Sequence, residues 1–347
     1  MHIVIAAALQ SDVKRPAIIP AEHQSDLPKA PKFWRDLEKH KYGAQFKADA
    51  KLELSNLKAR DCWRVTPVTK DIGKLLLLKW VFIYKVTSAG LLQRCRSRIV
   101  ARGDQQEEET ILSTYAATLA ARSFRLGMAL AARFDLEIVQ YDVINAFINA
   151  QRGSESSPLY CQLPDGFKEP RKCAKINRAL YGLRDSPALW FEELCRTLRG
   201  LGLTQCKEDH CIFVDEHRKV IVLFFVDDIL LLYHQDNSND AQMIVAGIKR
   251  AYELREMGEA KWFLGIRITR NKELGTLTLT HDTYIEKIAH KFGMADGSSP
   301  STSLPTLELL KNKGQAPPNQ VKEFQEKVGS ILYTAIMIRA DVAFAAS

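Results

Sequence analysis

The chain has 347 residues, 46% hydrophobic and 26% charged, which is apolar material for roughly two to three domains. That balance excludes a disordered tail, a collagen-like fibre and a disulfide-stapled miniprotein. A net charge of +8 suits a polyanionic partner, and seven cysteines without framework spacing read as free thiols of a reducing compartment.

Residues 1–31 hold four prolines (Pro16, Pro20, Pro28, Pro31) and read as a linker or extended arm. The opening MHIVIAAALQS has no basic region before its apolar stretch, so a signal peptide is not expected. From Phe33 to Leu57, apolar residues at mostly three- to four-residue spacing predict a helix. Leu75–Val86 and Leu91–Val100 predict two strands joined at Ser88-Ala89-Gly90. A helix over Ser123–Phe134 and a strand over Leu136–Val143 follow, with a turn at Pro164-Asp165-Gly166. An amphipathic helix over Ala188–Leu201 stops at glycines 200 and 202. Ile221–Tyr233 predicts two buried strands turning at Asp227-Asp228. Its apolar part, Ile221–Val226, is far short of a membrane span of about 20 residues. A helix over Ala241–Leu254, a hairpin of Trp262–Thr269 with Leu277–Thr280, a helix over Thr283–Phe292 and an apolar helix over Val321–Ser347 complete the pattern. Such an order is mixed α+β with antiparallel hairpins, not a βαβ repeat.

Positive charge is concentrated in the first third. Between Pro31 and Asp104 stand 17 Lys+Arg and 7 Asp+Glu, interleaved with Trp34, Trp63, Trp80 and Tyr84. This is either a solvated basic face or a surface that follows phosphates.

Two groups of acids sit where packing alone would not put them. Asp227 and Asp228 are the sole polar residues between Val222 and Leu232, and Asp142 ends an apolar strand. A hairpin turn accounts for the first pair and a helix N-cap for Asp142. The competing reading is a shared site. Two carboxylates about 4 Å apart repel by roughly 4 kcal/mol at an effective dielectric of 20, a cost a hard divalent cation removes. Paired metals of that kind serve phosphoryl transfer.

At these residues the chain resembles the reverse transcriptases of copia-type LTR retrotransposons. Lys79-Trp80-Val81-Phe82 and Arg98-Ile99-Val100-Ala101-Arg102-Gly103 are similar to the family's KWVF and ARLVARG segments. Gln140-Tyr141-Asp142-Val143 with Asn145-Ala146-Phe147 resembles its first catalytic motif. Leu180-Tyr181-Gly182-Leu183-Arg184 with Ser186-Pro187 and Trp190 resembles LYGLKQSP…W, and Phe225-Val226-Asp227-Asp228 resembles YVDD. Trp262-Phe263-Leu264-Gly265-Ile266 is similar to the primer-grip hairpin. Tyr284-Ile285, Lys291-Phe292-Gly293-Met294 and Gly329-Ser330 with Tyr333 continue the family order.

The resemblance implies an RNA-directed DNA polymerase, a nucleotidyltransferase with a right-hand α+β fold whose antiparallel palm sheet is backed by helices. The fingers would be 32–134 and 152–178, the palm 135–151 and 179–280, and the thumb 281–320. Residues 321–347 would begin the connection to ribonuclease H, the chain breaking off there. Integrase and ribonuclease H domains are expected in the full polyprotein and not in this chain. Asp142, Asp227 and Asp228 would be catalytic and hold two Mg²⁺ ions, with Mn²⁺ as a substitute. Arg98, Arg102, Phe147 and Asp185 would line the nucleotide pocket, with Phe147 as the steric gate against a ribose 2′-OH or, on the plain reading, a core Phe. Phe263, Leu264, Gly265 and Ile266 would grip the primer. Implied partners are an RNA or DNA template with its primer and deoxynucleoside triphosphates, in a cytoplasmic particle or the nucleus, with no membrane.

The chain also departs from the pattern. Asp185 stands where the family usually has Gln, and Arg184 is the neighbour that would pair with it. Ser97 replaces a Lys, Phe225 replaces Tyr, and the Pro expected after Tyr115-Ala116 is missing. Gln105–Thr110 is unusually acidic. These departures imply an alternative, an inactive remnant that folds and binds nucleic acid. Finally, Cys206, His210 and Cys211 near Asp209 lack the second pair a zinc site needs and read as core.

Overall fold

The computed structural model describes residues 22–87, 89–108, 113–153, 157–297 and 314–346. Most of the predicted arm (1–21), Ser88 of the predicted turn, the end of the acidic run (109–110) and 298–313 of the expected thumb lie outside the described residues. In chain order the elements begin with helix α1 (Gly43–Ala59) and strands β1 (Trp63–Pro67), β2 (Leu78–Val86) and β3 (Leu92–Ala101). Then come α2 (Ala121–Arg133), β4 (Glu137–Val143), α3 (Ala146–Asn149), β5 (Tyr160–Gln162), β6 (Lys172–Ile176) and α4 (Ser186–Gly200). Strands β7 (Thr204–Gln205), β8 (Ile212–Val214), β9 (Val220–Phe225) and β10 (Asp228–Tyr233) lead to α5 (Ser238–Ala251). The chain continues with β11 (Leu254–Glu259), β12 (Trp262–Phe263), β13 (Ile266–Asn271), β14 (Thr276–Thr280), α6 (Asp282–Lys291), α7 (Pro318–Met337) and α8 (Ala343–Ala346). All paired strands are antiparallel, as the α+β reading expects.

Two compact units form, and the chain passes between them after Ala117, Ile144 and Thr197. The first, residues up to Ala117 with Asn145–Thr197, contains a sheet in the order β1-β6-β5 and the β2–β3 hairpin. Helix α1 buries Phe46, Ala50, Leu54 and Leu57, a stripe at helical spacing, with Phe82 and Ile99 of the hairpin in the same core. The predicted helix over Phe33–Leu57 is interrupted. A 3-10 turn covers Trp34–Glu38, and α1 starts only at Gly43, where a Cβ would lie 1.8 Å from the Leu37 carbonyl oxygen. The predicted arm is anchored from Glu22 onward: Leu92 N–H donates to the Glu22 carbonyl, and Lys41 and Tyr42 donate to its carboxylate. The tryptophans of the basic run also turn inward. Trp63 and Trp80 are buried, and the Trp80 indole donates to the Asp165 carbonyl.

The second unit, Thr118–Ile144 with the chain from Leu198 onward, holds a six-stranded sheet in the order β11-β4-β10-β9-β8-β7. Ile229–Leu232 of β10 is buried at every position, which a strand covered on one face alone would not be. Helices α2 and α5 both pack on β10. Close approach of α2 needs Gly127, since a Cβ there would sit 3.1 Å from Leu223 Cδ2. A smaller sheet, β12-β13-β14, is tied to α2 by stacked Phe124 and Phe263 rings, 5.2 Å between centroids. Arg125 of α2 donates to the carbonyls of Ile336 and Met337, placing a cation on the last turn of α7. That helix ends at Met337 rather than running on through the expected 347, and a 3-10 turn over Ala340–Val342 follows.

Candidate active site

The acids converge at one end of the larger sheet. The turn between β9 and β10 is Val226-Asp227, one residue earlier than predicted, and Asp228 opens β10 opposite Phe225. Val226 has φ +57°, a backbone region that a β-branched residue occupies at a cost of about 1–2 kcal/mol. A Gly would carry that turn without strain, so the strain sits beside the acids.

In the antiparallel register Asp228 pairs directly with Asp142, which puts the two side chains on one face at a Cα separation of about 5 Å. The third acid is held by its backbone: Val143 N–H donates to the Asp227 carbonyl at 2.8 Å. Asp142 is therefore a strand residue and not a helix cap. On its other side stands Arg255 of β11, paired in register, with its guanidinium 3.3 Å from Asp142 Oδ2. The Gln140 amide donates to Asp228 Oδ1 at 3.1 Å. Burial pushes the Asp228 carboxyl above its ordinary range; the charges of Asp227 and Asp142 push it the same way, and the Gln140 bond opposes them. Like charges thus feel one another across the strand end.

Three carboxylates offer the hard oxygens that Mg²⁺ takes. Their side chains do not form a closed cage: among the described residues no three Asp, Glu, His or Cys side chains are grouped to hold a metal ion. Asp142 is engaged by Arg255 and Asp228 by Gln140 instead. The donor chemistry fits a divalent cation, and binding one requires these side chains to turn. Arg255 and Gln140 were not singled out from sequence. Gln140 stands two residues before Asp142 on the same strand face, a usable signal, whereas the exposed strand carrying Arg255 left none.

A second group lies in the other unit. Arg94, Arg96 and Arg98 take alternate positions on β3, with Lys85 opposite Arg94. Among the described residues none of the three arginines makes an ion pair. Burial and the charges of Arg98 and Arg94 draw the Arg96 guanidinium below its ordinary range. Arg98 lies over the Tyr181 ring, 4.9 Å from its centroid, and Phe147 meets that same ring edge-on at 5.3 Å. Arg102 makes a two-pronged contact with Asp104, at 2.7 and 2.6 Å.

In the Trp262–Ile266 segment, Leu264 (φ +52°) and Gly265 (φ +77°) form a tight turn between β12 and β13. Phe263 and Ile266 are buried, so contact with a primer would fall to the turn itself. Of the Cys206–Cys211 group only part is core: Cys211 and Asp209 are buried, Asp209 accepting from the Cys211 and Ala120 amides, whereas Cys206 is half-buried with its thiol on Glu208 and His210 is exposed.

A family model described as reverse transcriptase (RNA-dependent DNA polymerase) matches residues 60–307, well over half of the chain. The chain belongs to that family. Among its relatives, the retrovirus-related Pol polyprotein from transposon TNT 1-94 of Nicotiana tabacum is 27% identical over 308 residues, covering 84% of this chain and 23% of the relative. The corresponding polyprotein from transposon RE1 of Arabidopsis thaliana is 28% identical over 295 residues, 82% of this chain and 19% of the relative. A putative transposon Ty5-1 protein of Saccharomyces cerevisiae is 24% identical over 211 residues, 59% of this chain and 67% of the relative. This reverse transcriptase chain spans about a fifth to a quarter of the two plant polyproteins it matches.

Two departures from the reverse transcriptase pattern take on a structural meaning. Asp185 is fully buried and forms an ion pair with Arg152, itself buried, rather than with Arg184. Its side chain is enclosed in the protein instead of exposed to a nucleotide. Ser97 is likewise buried: its hydroxyl donates to the Phe46 carbonyl at 2.8 Å, and its amide donates to Asp49 at 2.6 Å. A lysine there would have to bury its ammonium between β3 and α1. No described helix is long and apolar enough to cross a membrane.

Proposed function

We propose that this chain is the polymerising segment of a retrotransposon Pol protein, joining deoxynucleotides to a primer 3′-OH under the direction of an RNA template. The observation that carries the reading is the register pairing of Asp142 with Asp228, beside Asp227 in the β9–β10 turn. On this reading the larger sheet is a palm, the β2–β3 hairpin belongs to the fingers and the segment after β14 to a thumb. Asp142, Asp227 and Asp228 would hold two Mg²⁺ ions, or Mn²⁺ in their place. Bound there, the cations would lower the pKa of the attacking hydroxyl and neutralise charge on the phosphates. The protein's own groups orient and select. Arg98, its guanidinium face held by Tyr181, keeps edge N–H donors for a triphosphate. Phe147 excludes the 2′-OH, and the Leu264-Gly265 turn supports the primer end.

An inactive copy would draw its support from Ser97 and Asp185, and both are enclosed and hydrogen-bonded or ion-paired. Ser97 is satisfied there, while Oδ1 of the Asp185 carboxylate has no hydrogen-bond partner among the described residues.

The test is primer extension on an RNA template with Mg²⁺, the chain beside its Asp227→Asn variant. Extension by the parent, reduced at least about a thousandfold in the variant, is expected. A folded parent that binds primer–template and extends nothing overturns the reading.

A further inference from the structure

We propose that Tyr181 is the residue that sets nucleotide selection in this chain, because one ring positions both Arg98 and Phe147. The inference rests on the polymerase reading above and adds a positioning residue to it. Its basis is a shared contact: the Arg98 guanidinium lies 4.9 Å from the centroid of the Tyr181 ring, and the Phe147 ring abuts the same ring at 5.3 Å with the planes 69° apart. A guanidinium over a ring is held by its face, and its edge donors stay directed away from the stack. Arg98 Nε is buried and has no hydrogen-bond partner among the described residues, so orientation at that point comes from the ring and not from a protein acceptor. An edge-on neighbour also fixes the tilt of Phe147, the feature a steric gate depends on.

The loop that bears the ring is clamped to the strand that carries Arg98. Ala101 N–H donates to the Tyr181 carbonyl at 2.7 Å. The next residue, Gly182, has φ +91°, and a Cβ there would fall 2.3 Å from the Ala101 carbonyl oxygen. At Gly103 an added Cβ would fall 2.1 Å from the Gly182 carbonyl oxygen. The two glycines let the 180–184 loop lie directly on the end of β3. Arg98 and Phe147, 49 positions apart in the chain, are thereby set against one platform. The group that takes the triphosphate and the group that senses the sugar 2′ position become mechanically linked.

The linkage has a signature that a merely structural ring lacks. Single-nucleotide extension on an RNA template with Mg²⁺ gives kcat and KM for a deoxynucleotide and its ribonucleotide, for the parent, Tyr181→Phe and Tyr181→Leu. In Tyr181→Leu the deoxynucleotide KM rises about tenfold and the preference over the ribonucleotide falls about tenfold, while kcat changes less than about threefold. Tyr181→Phe, which keeps the ring, restores both. Should Tyr181→Leu not fold, Tyr181→Met carries the same comparison. A variant whose KM rises with selectivity intact, or whose kcat alone falls, overturns the inference while leaving the polymerase reading standing. A parent that incorporates nothing overturns both.

Discussion

Asp142 stands between two register partners of opposite kind, Arg255 on β11 and Asp228 on β10. The arginine supplies one positive charge to a strand end holding three acids, and burial together with the other two acids holds the Asp228 carboxyl above its ordinary range. The strand end therefore carries like-charge repulsion, and neutralising Asp228 should relieve it. Asp228→Asn keeps an oxygen for Gln140 and is expected to be more stable than the parent in metal-free buffer, by up to about 1 kcal/mol after allowing for solvent screening. Millimolar Mg²⁺ should raise the melting temperature of the parent and move the variant much less. Thermal melts with and without Mg²⁺ decide it, and a variant less stable than the parent without metal would contradict the account.

The enclosed pair Arg152–Asp185 makes an opposite prediction for a change that looks like a repair. Asp185→Gln brings in the residue the family usually has, yet it leaves a buried guanidinium without its counter-charge. Breaking a buried pair from one side costs about 3–5 kcal/mol, whereas replacing both partners with apolar residues of similar volume is close to neutral. Asp185→Gln should accordingly destabilise, and Arg152→Met with Asp185→Leu should recover most of the loss. A urea-denaturation double-mutant cycle measures the coupling. Independent, additive losses would mean the two charges are compensated elsewhere.

His281 provides a pH test. Its ring is buried and stacked on Tyr284 at 4.7 Å between centroids. Burial pushes the imidazole below its usual 6.5, and Asp282 opposes this too weakly to reverse it. Because the folded form resists the proton that the unfolded chain accepts, the stability His281 contributes is present above pH 6.5 and is lost as pH falls below it. His281→Phe preserves the stack and removes the titration. The parent should lose melting temperature relative to this variant between pH 7 and pH 5, with little difference at pH 7.5. Parallel pH profiles would refute the assignment.

The parts legible in the sequence are those where burial leaves a pattern. Strands β9 and β10 read as apolar runs because they are covered, and the acids between them stood out against that background. Strand β11, Leu-Arg-Glu-Met-Gly-Glu, is largely exposed along a sheet edge and has no alternation to read, which is why Arg255 went unnoticed. Partners far apart in the chain were also hidden: Asp185 pairs across 33 residues with Arg152, while the neighbouring Arg184 was the visible candidate. Val226 in a left-handed turn could not be read at all, since its residue type argues against that conformation. The tryptophans of the basic run misled in the other direction. They stood interleaved with the charges of a run read as a solvated basic face or a surface that follows phosphates, whereas Trp63 and Trp80 are buried in the core and Trp34 packs against it.

With Trp63 and Trp80 buried, the basic run presents exposed Arg94 and half-buried Arg96 and Arg98 on one strand. Arg94, Arg96 and Arg98 repeat every second residue on β3, a spacing of about 6.8 Å along the strand. Burial and the like charges of Arg98 and Arg94 draw Arg96 below its ordinary range, against the opposing charge of Glu53. On the proposed reading, phosphates would offset the repulsion among the three. Binding of a primer–template should therefore weaken steeply with salt, because each neutralised phosphate gives up condensed counterions. Arg96→Gln is expected to lower affinity at every sequence alike and to reduce the slope of log K against log salt by about 1. Titrations by fluorescence anisotropy at several salt concentrations, on two unrelated duplex sequences, check both parts. An unchanged slope would mean that Arg96 faces solvent and that the phosphates lie elsewhere. A loss confined to one sequence would mean that it reads bases, a role that a strand-borne guanidinium ladder without a groove-entering helix is not expected to fill.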